Sequence, residues 1–215
     1  MLRLLCCAIF AIVFAIPLSA HSFIEENMHS IAPVSVGPNR HLYLKTDIPA
    51  YGLLISNIGV EVDLLPHLSF DMPFYYSGWN HSGETTKFRT ATLRPEFRFW
   101  PKAENQGLFV GAHFGFSWFN VAVGDEFRYQ DKDSKTPSIG GGLSLGYRLP
   151  ISRSNRWHLE MGVGAGVYNV NYDIYHNADS TANGVFIENR SKNWFGLDHA
   201  SISLSYMFDL KGGKR

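Results

Sequence analysis

From Thr136 to Tyr175 the chain reads TPSIGGGLSLGYRLPISRSNRWHLEMGVGAGVYNVNYDIY, and its side chains change character at nearly every step. Ile139, Leu143, Leu145, Tyr147 and Leu149 fall on one phase, and Ser138, Gly140, Gly142, Ser144, Gly146 and Arg148 on the other. The second arm repeats the pattern, with Trp157, Leu159, Met161, Val163, Ala165 and Val167 against His158, Glu160, Gly162, Gly164 and Gly166. Successive side chains of a strand point to opposite faces, so each arm is a strand with one apolar and one small or polar face. Each interior glycine would cost a helix about 1 kcal/mol, which removes the helical alternative. Pro150 to Asn155 supplies the turn, and the stretch is a β-hairpin.

Six further period-two segments stand around it. His41–Leu53 sets Leu42, Leu44, Ile48 and Ala50 against Tyr43, Lys45, Asp47 and Tyr51. Asn57–Leu65 sets Ile58, Val60, Val62 and Leu64 against Gly59, Glu61 and Asp63, and Phe70, Met72, Phe74 and Tyr76 oppose Ser69, Asp71 and Tyr75. Arg89–Trp100, Leu108–Val123 and Trp194–Leu210 complete a set of eight. Three connections are short: Pro66-His67, Pro101–Gly107 and Pro150–Asn155. Three are long and polar: Ser77–Phe88, Gly124–Pro137 and His176–Asn193, with a short exception around Ser56. An even number of strands with short turns at one end and long loops at the other predicts an all-β, eight-stranded, antiparallel up-and-down transmembrane β-barrel. An apolar band ~25 Å tall crossed at ~40° takes about ten residues, the length of Trp157–Val167 and Leu108–Trp118.

The rest of the composition fits an exported chain. Residues 1–20 read as a signal peptide: Arg3, an apolar run from Leu4 to Ile16, then Pro-Leu-Ser-Ala. Both cysteines, Cys6 and Cys7, lie inside it, which leaves no disulfide or cysteine-ligated metal for the mature chain. Residues 21–40 form a polar lead-in, 41–210 the barrel and 211–215 a polar tail. Formal net charge is zero and the loops carry mixed signs, so nucleic acid is not a partner.

The inward phase carries the charge. Lys45, Arg94, Arg98 and Arg148 face Asp47, Glu61, Asp63, Asp71, Glu96 and Glu160, with His158 beside them, nearly all within six residues of the turn end. An eight-stranded barrel is only wide enough for its side chains to fill, so a salt-bridged lumen that closes the pore is expected. Trp100, Trp118, Trp157 and Trp194 stand at segment ends, the positions of membrane-interface aromatics, although Trp100 falls on the inward phase. His113, His158 and His199 also face inward, at about six, two and ten residues above the turn end. Roughly 20 Å of spread is too great for a shared metal, so no metal or cofactor is expected. A hydrolase would need a set such as His199 with Ser201 and Ser203, but no G-x-S-x-G elbow is present.

Several runs, once placed on these segments, resemble a family of small outer-membrane proteins of Bacteroidota catalogued as a domain of unknown function. They include Leu44-Lys45-Thr46-Asp47, Asn57-Ile58-Gly59-Val60-Glu61, Leu93–Trp100 (LRPEFRFW), Arg156-Trp157-His158-Leu159-Glu160 and Ala200–Phe208. The resemblance implies an eight-stranded outer-membrane barrel without an established activity, with some relatives linked to surface-adhesin or fimbrial genes. The expectation is therefore a non-enzymatic protein of the cell outer membrane. Outer-membrane lipids are its surroundings, and its extracellular loops serve envelope structure, surface interaction or anchoring of adhesin or fimbrial components. A lipid-modifying enzyme of the same membrane and a soluble lipocalin-like binding barrel are the alternatives.

Overall fold

Along β7 (Gly107–Ala122) burial follows the sequence step by step: Gly107, Phe109, Gly111, His113 and Gly115 are buried, and Leu108, Val110, Ala112 and Phe114 are exposed. The same alternation, with polar or small residues inside, runs through β1 (Arg40–Asp47), β2 (Ser56–Leu65), β3 (Leu68–Ser77) and β6 (Glu96–Phe99). The computed structural model describes residues 40–82, 86–102, 105–122, 126–177 and 184–210. The expected signal peptide, all of the lead-in except Arg40, and the C-terminal tail lie outside the described residues.

Eleven strand segments form one antiparallel sheet. β1 pairs with β2, β2 with β3, and β3 with both β5 (Thr86–Leu93) and β6. Those two pair with β7, which pairs with β9 (Ser138–Pro150). β9 pairs with β10 (Trp157–His176), β10 with β11 (Phe186–Leu210), and β11 returns to β1 from Arg40↔Leu210 to Asp47↔Ser203. Counting β5 and β6 as one interrupted strand, the sheet closes into a ring of eight strands. No helix among the described residues is long and apolar enough to cross a membrane.

Four features differ from the alternation read in the sequence. The first segment does not continue to Leu53: β1 stops at Asp47 and a single turn of helix, α1 (Ile48–Gly52), follows. Pro49 carries no N–H for a ladder but suits a first helical turn. The fourth segment breaks at Arg94-Pro95, opposite Pro73, where two prolines in neighbouring strands remove ladder donors. The two long loops at Ser77–Phe88 and Gly124–Pro137 contain short strands, β4 (Asn80–Ser82) and β8 (Phe127–Asp131). The third supposed loop is mostly strand, because β10 runs to His176 and β11 begins at Phe186. Its polar, two-sided composition hides a hairpin that rises beyond the ring and is braced by β8.

Just before β7, Asn105 and Gly107 take φ values of 52° and 82°, a region open to Asn and Gly at little cost. At the other end, Asn57 holds the β1–β2 connection. Its Oδ1 accepts from the Asp47 N–H at 2.6 Å and its Nδ2 donates to the Asp47 carbonyl at 2.9 Å.

Candidate functional site

Because polar residues occupy the inward phase, the inside of the ring is a charge assembly rather than an oily core. Lys45 from β1 donates to Glu61 at 2.9 Å, Glu160 at 2.6 Å and Asp71 at 3.3 Å. Arg98 from β6 reaches Glu61 at 3.0 Å, Glu160 at 2.7 Å, Asp71 at 2.7 Å and Glu96 at 3.2 Å. Arg148 from β9 binds Glu160 through Nε at 3.0 Å and Nη2 at 2.8 Å, and also meets Glu61. The Ser69 hydroxyl donates to the other oxygen of Glu61 at 2.6 Å, and the Ser144 hydroxyl donates to Glu96 at 2.5 Å. Three cations thus hold four carboxylates, the seven groups being drawn from six strands. Buried charges persist only when paired and hydrogen-bonded, and breaking one such pair costs about 3–5 kcal/mol.

Aromatic rings floor this assembly at the turn end. The Arg148 guanidinium lies 4.2 Å from the Tyr43 ring centre and 4.4 Å from that of Trp100, and Arg98 lies 4.4 Å from that of Phe109. Trp100 is wholly buried and its indole N–H donates to Ser69 at 2.8 Å. This corrects its assignment to the membrane-interface aromatics: its inward phase decides, and it seals the ring instead. His158 is also wholly buried, makes no ion pair among the described residues and packs edge-on to Tyr43 at 5.7 Å. It belongs to the aromatic floor, not to the charge network.

Three more predicted charges lie apart from the central assembly. Asp63 accepts from Asn105 at 2.7 Å and meets His41 Nδ1 at 2.9 Å at the turn-end rim. Asp47 accepts from the Ile202 N–H at 3.1 Å, where β1 ends and β11 continues past it, paired with β10. Arg94 makes no ion pair among the described residues and sits 6.0 Å from the centre of the Tyr75 ring. The remaining seven, Lys45, Glu61, Asp71, Glu96, Arg98, Arg148 and Glu160, come together in one network.

Towards the loop end a second cluster appears that the sequence reading did not assemble. His113 Nε2 stands 2.5 Å from Asp198 Oδ2, His199 Nδ1 stands 2.9 Å from Oδ1, and the Tyr168 hydroxyl donates to Oδ2 at 3.0 Å. The two imidazoles meet edge-to-face at 5.1 Å. The expected separation of His113 from His199 is therefore wrong. Distance along a strand from its turn does not set height, because strand stagger in a closed ring puts residues of unequal count at one level. A register shift is the second cause. β11 carries one extra residue, Asp198, between Gly164↔His199 and Ala165↔Leu197, and this bulge lets two consecutive side chains point inward.

The same bulge corrects Trp194. A one-residue slip reverses the phase of every side chain beyond it, so Trp194 pairs with Tyr168 and covers Gly196 on the inner face. Trp118 and Trp157 face outward; Trp118 donates to the Lys135 carbonyl at 3.1 Å and Trp157 packs on Tyr206 at 4.9 Å.

The glycine face makes room for these groups. A Cβ on Gly164 would lie 2.0 Å from the His199 ring, and one on Gly140 would lie 2.4 Å from Tyr168. Asp198 and Tyr168 were missed because simple alternation assigns Asp198 outward and Tyr168 lies just beyond the Trp157–Val167 segment.

A family model described as "Protein of unknown function (DUF3575)" matches residues 24–208. No curated protein matches the chain.

Proposed function

The chain belongs to the DUF3575 family of unknown function, and on that premise we propose that it is a non-enzymatic outer-membrane β-barrel with a charge-filled lumen that displays its loop-end strands outward. One observation carries the reading: the ring is inside-out relative to a water-soluble protein. Leu143, Phe114, Phe99 and Val167 are 66%, 59%, 55% and 55% exposed, while Glu61, Glu96 and Arg148 are wholly buried. In water each of those outward side chains would forgo about 2 kcal/mol of burial, and the inward charges would still carry their desolvation cost. Against hydrocarbon, an apolar outside and a polar inside are what a strand-built span requires. A lipocalin-like binding barrel needs the opposite arrangement, with an apolar cavity.

The packed charges and aromatic floor speak against a general pore. The β10–β11 hairpin, rising beyond the ring with Phe186 and Val185 exposed, supports a surface for envelope or adhesin contacts over one for catalysis. Washing cell envelopes with alkaline carbonate tests the membrane assignment. The chain is expected to stay with the membranes and to leave only in detergent, and release by carbonate would overturn it. The lipid A and phospholipid profile of a deletion strain tests the enzymatic alternative, and the expected result is no change.

A further inference from the structure

We propose that His113, Asp198 and His199 form a binding site for one divalent transition-metal ion, of the zinc type, that braces β7 against β11 across the ring. Three observations carry it. The first is convergence. One ligand atom from each residue lies within 4.8 Å of the other two, and since two ligand bonds of about 2.0–2.2 Å span at most about 4.4 Å, a small side-chain adjustment brings all three onto one ion. Two imidazoles and a carboxylate are also a donor set of borderline softness, suited to zinc, copper, nickel or iron rather than to calcium or magnesium. The Tyr168 hydroxyl, already 3.0 Å from Asp198, stands ready to orient the carboxylate from outside.

The second observation is charge. Apart from Asp63 at the rim, the ring holds six inward carboxylates, Asp47, Glu61, Asp71, Glu96, Glu160 and Asp198. Four permanent cations, Lys45, Arg94, Arg98 and Arg148, face them. However the rim and loop-end groups are counted, buried carboxylates outnumber buried lysines and arginines among the described residues. Unbalanced charge in a desolvated interior is costly. The carboxylate that no lysine or arginine serves at hydrogen-bond distance, and two imidazoles do, is Asp198.

The third is construction. A bulge turns Asp198 inward beside His199, and glycines clear the space: a Cβ on Gly164 would strike His199 and one on Gly166 would lie 2.8 Å from Asp198. A neutral imidazole need lose no proton on loading. Each imidazole moves its proton from the nitrogen facing Asp198 to the other ring nitrogen and offers the freed lone pair to the ion. The other cluster of close donors, Glu61, Asp71 and Glu160, is already interleaved with Lys45, Arg98 and Arg148 and has no need of an ion.

The test uses the full chain in detergent, stripped with chelator and titrated with zinc against a chromogenic competitor. The expected result is one ion per chain with a dissociation constant in the micromolar range or below. Binding should weaken by at least about a hundredfold in His199→Gln and in Asp198→Asn, a ligand loss being worth no less than a lost outer-shell partner. His176→Gln, at the loop end, should bind as the parent does. Heat-shifted mobility on gels reports whether each variant has folded. Should a ligand variant not fold, the cobalt-loaded parent decides: a visible absorption band of a low-coordinate nitrogen–oxygen site supports the proposal, and the weak spectrum of hexaaqua cobalt overturns it. Absence of stoichiometric zinc binding by the parent below about 1 mM, or binding that is unchanged in the folded His199→Gln chain, also overturns it.

Discussion

Glu160 touches all three central cations at once: Lys45, Arg98 and Arg148. Replacing it with Gln leaves the shape and removes the charge, so the three cations lose one of the two carboxylates they share, the other being Glu61. Glu160→Gln is expected to lower stability by about 3–5 kcal/mol, read from urea unfolding in lipid vesicles. A value below about 1 kcal/mol would mean that the network reorganises freely. The glycines separate into two kinds by what stands opposite. A Cβ on Gly142 would lie 2.1 Å from the Ala165 carbonyl oxygen and 2.6 Å from the Gly166 Cα, both backbone, which no rotamer change relieves. At Gly162 the nearest atom is the Ser201 hydroxyl at 3.1 Å, the tip of a small side chain. Gly142→Ala should abolish the heat-shifted folded band on gels, whereas Gly162→Ala should keep it.

At the level of strands, the bulge in β11 is the most consequential feature. Deleting Asp198 leaves Gly164↔His199 followed directly by Ala165↔Leu197, a regular ladder in which His199 still faces in and Leu197 out. Hydrogen exchange at the Trp194–Leu197 amides should therefore be as slow as in the parent. The unfolding midpoint should nevertheless fall, because His113 and Tyr168 lose their acceptor, at about 1–3 kcal/mol for each buried group left unsatisfied. Fast exchange along the whole upper strand would show that the bulge sets the register instead of decorating it.

The loop-end sheet has its own pH response. Burial of the Asp131 carboxyl raises its pKa above the usual carboxylate range, with the Phe119 N–H opposing the shift and Asp173 nearby adding to it. A carboxyl whose folded pKa lies above its unfolded one favours the fold while protonated. That contribution is lost as pH rises through the unfolded value and is fully gone above the folded one. Exchange protection of β8 should be greater near pH 4 than at pH 7, and Asp131→Asn should remove the difference.

For the whole molecule, the proposed membrane assignment turns on whether the apolar outer surface meets hydrocarbon. Trp157 and Trp118 face outward at opposite ends of the ring, while Trp100 is enclosed between Arg148, Phe109 and Ser69. In vesicles of brominated lipid, chains keeping only Trp157 or only Trp118 should be strongly quenched. A chain keeping only Trp100 should emit nearly as in unbrominated lipid. Equal quenching of Trp100 would mean that the ring is open to lipid, and no quenching of Trp157 would place its surface in water.

Alternation by itself determined the β class, the count of eight and which side chains share a face, because side-chain direction in a strand depends only on odd or even position. Lys45, Glu61, Arg98, Arg148 and Glu160 were legible as one inward set for that reason. What the tertiary structure alone decided was which inward groups meet and where the phase changes. Stagger around a closed ring brings His113 to His199, and one extra residue at Asp198 reverses everything beyond it, including Trp194. Both depend on pairing between strands far apart in the chain, and no local pattern carries that information.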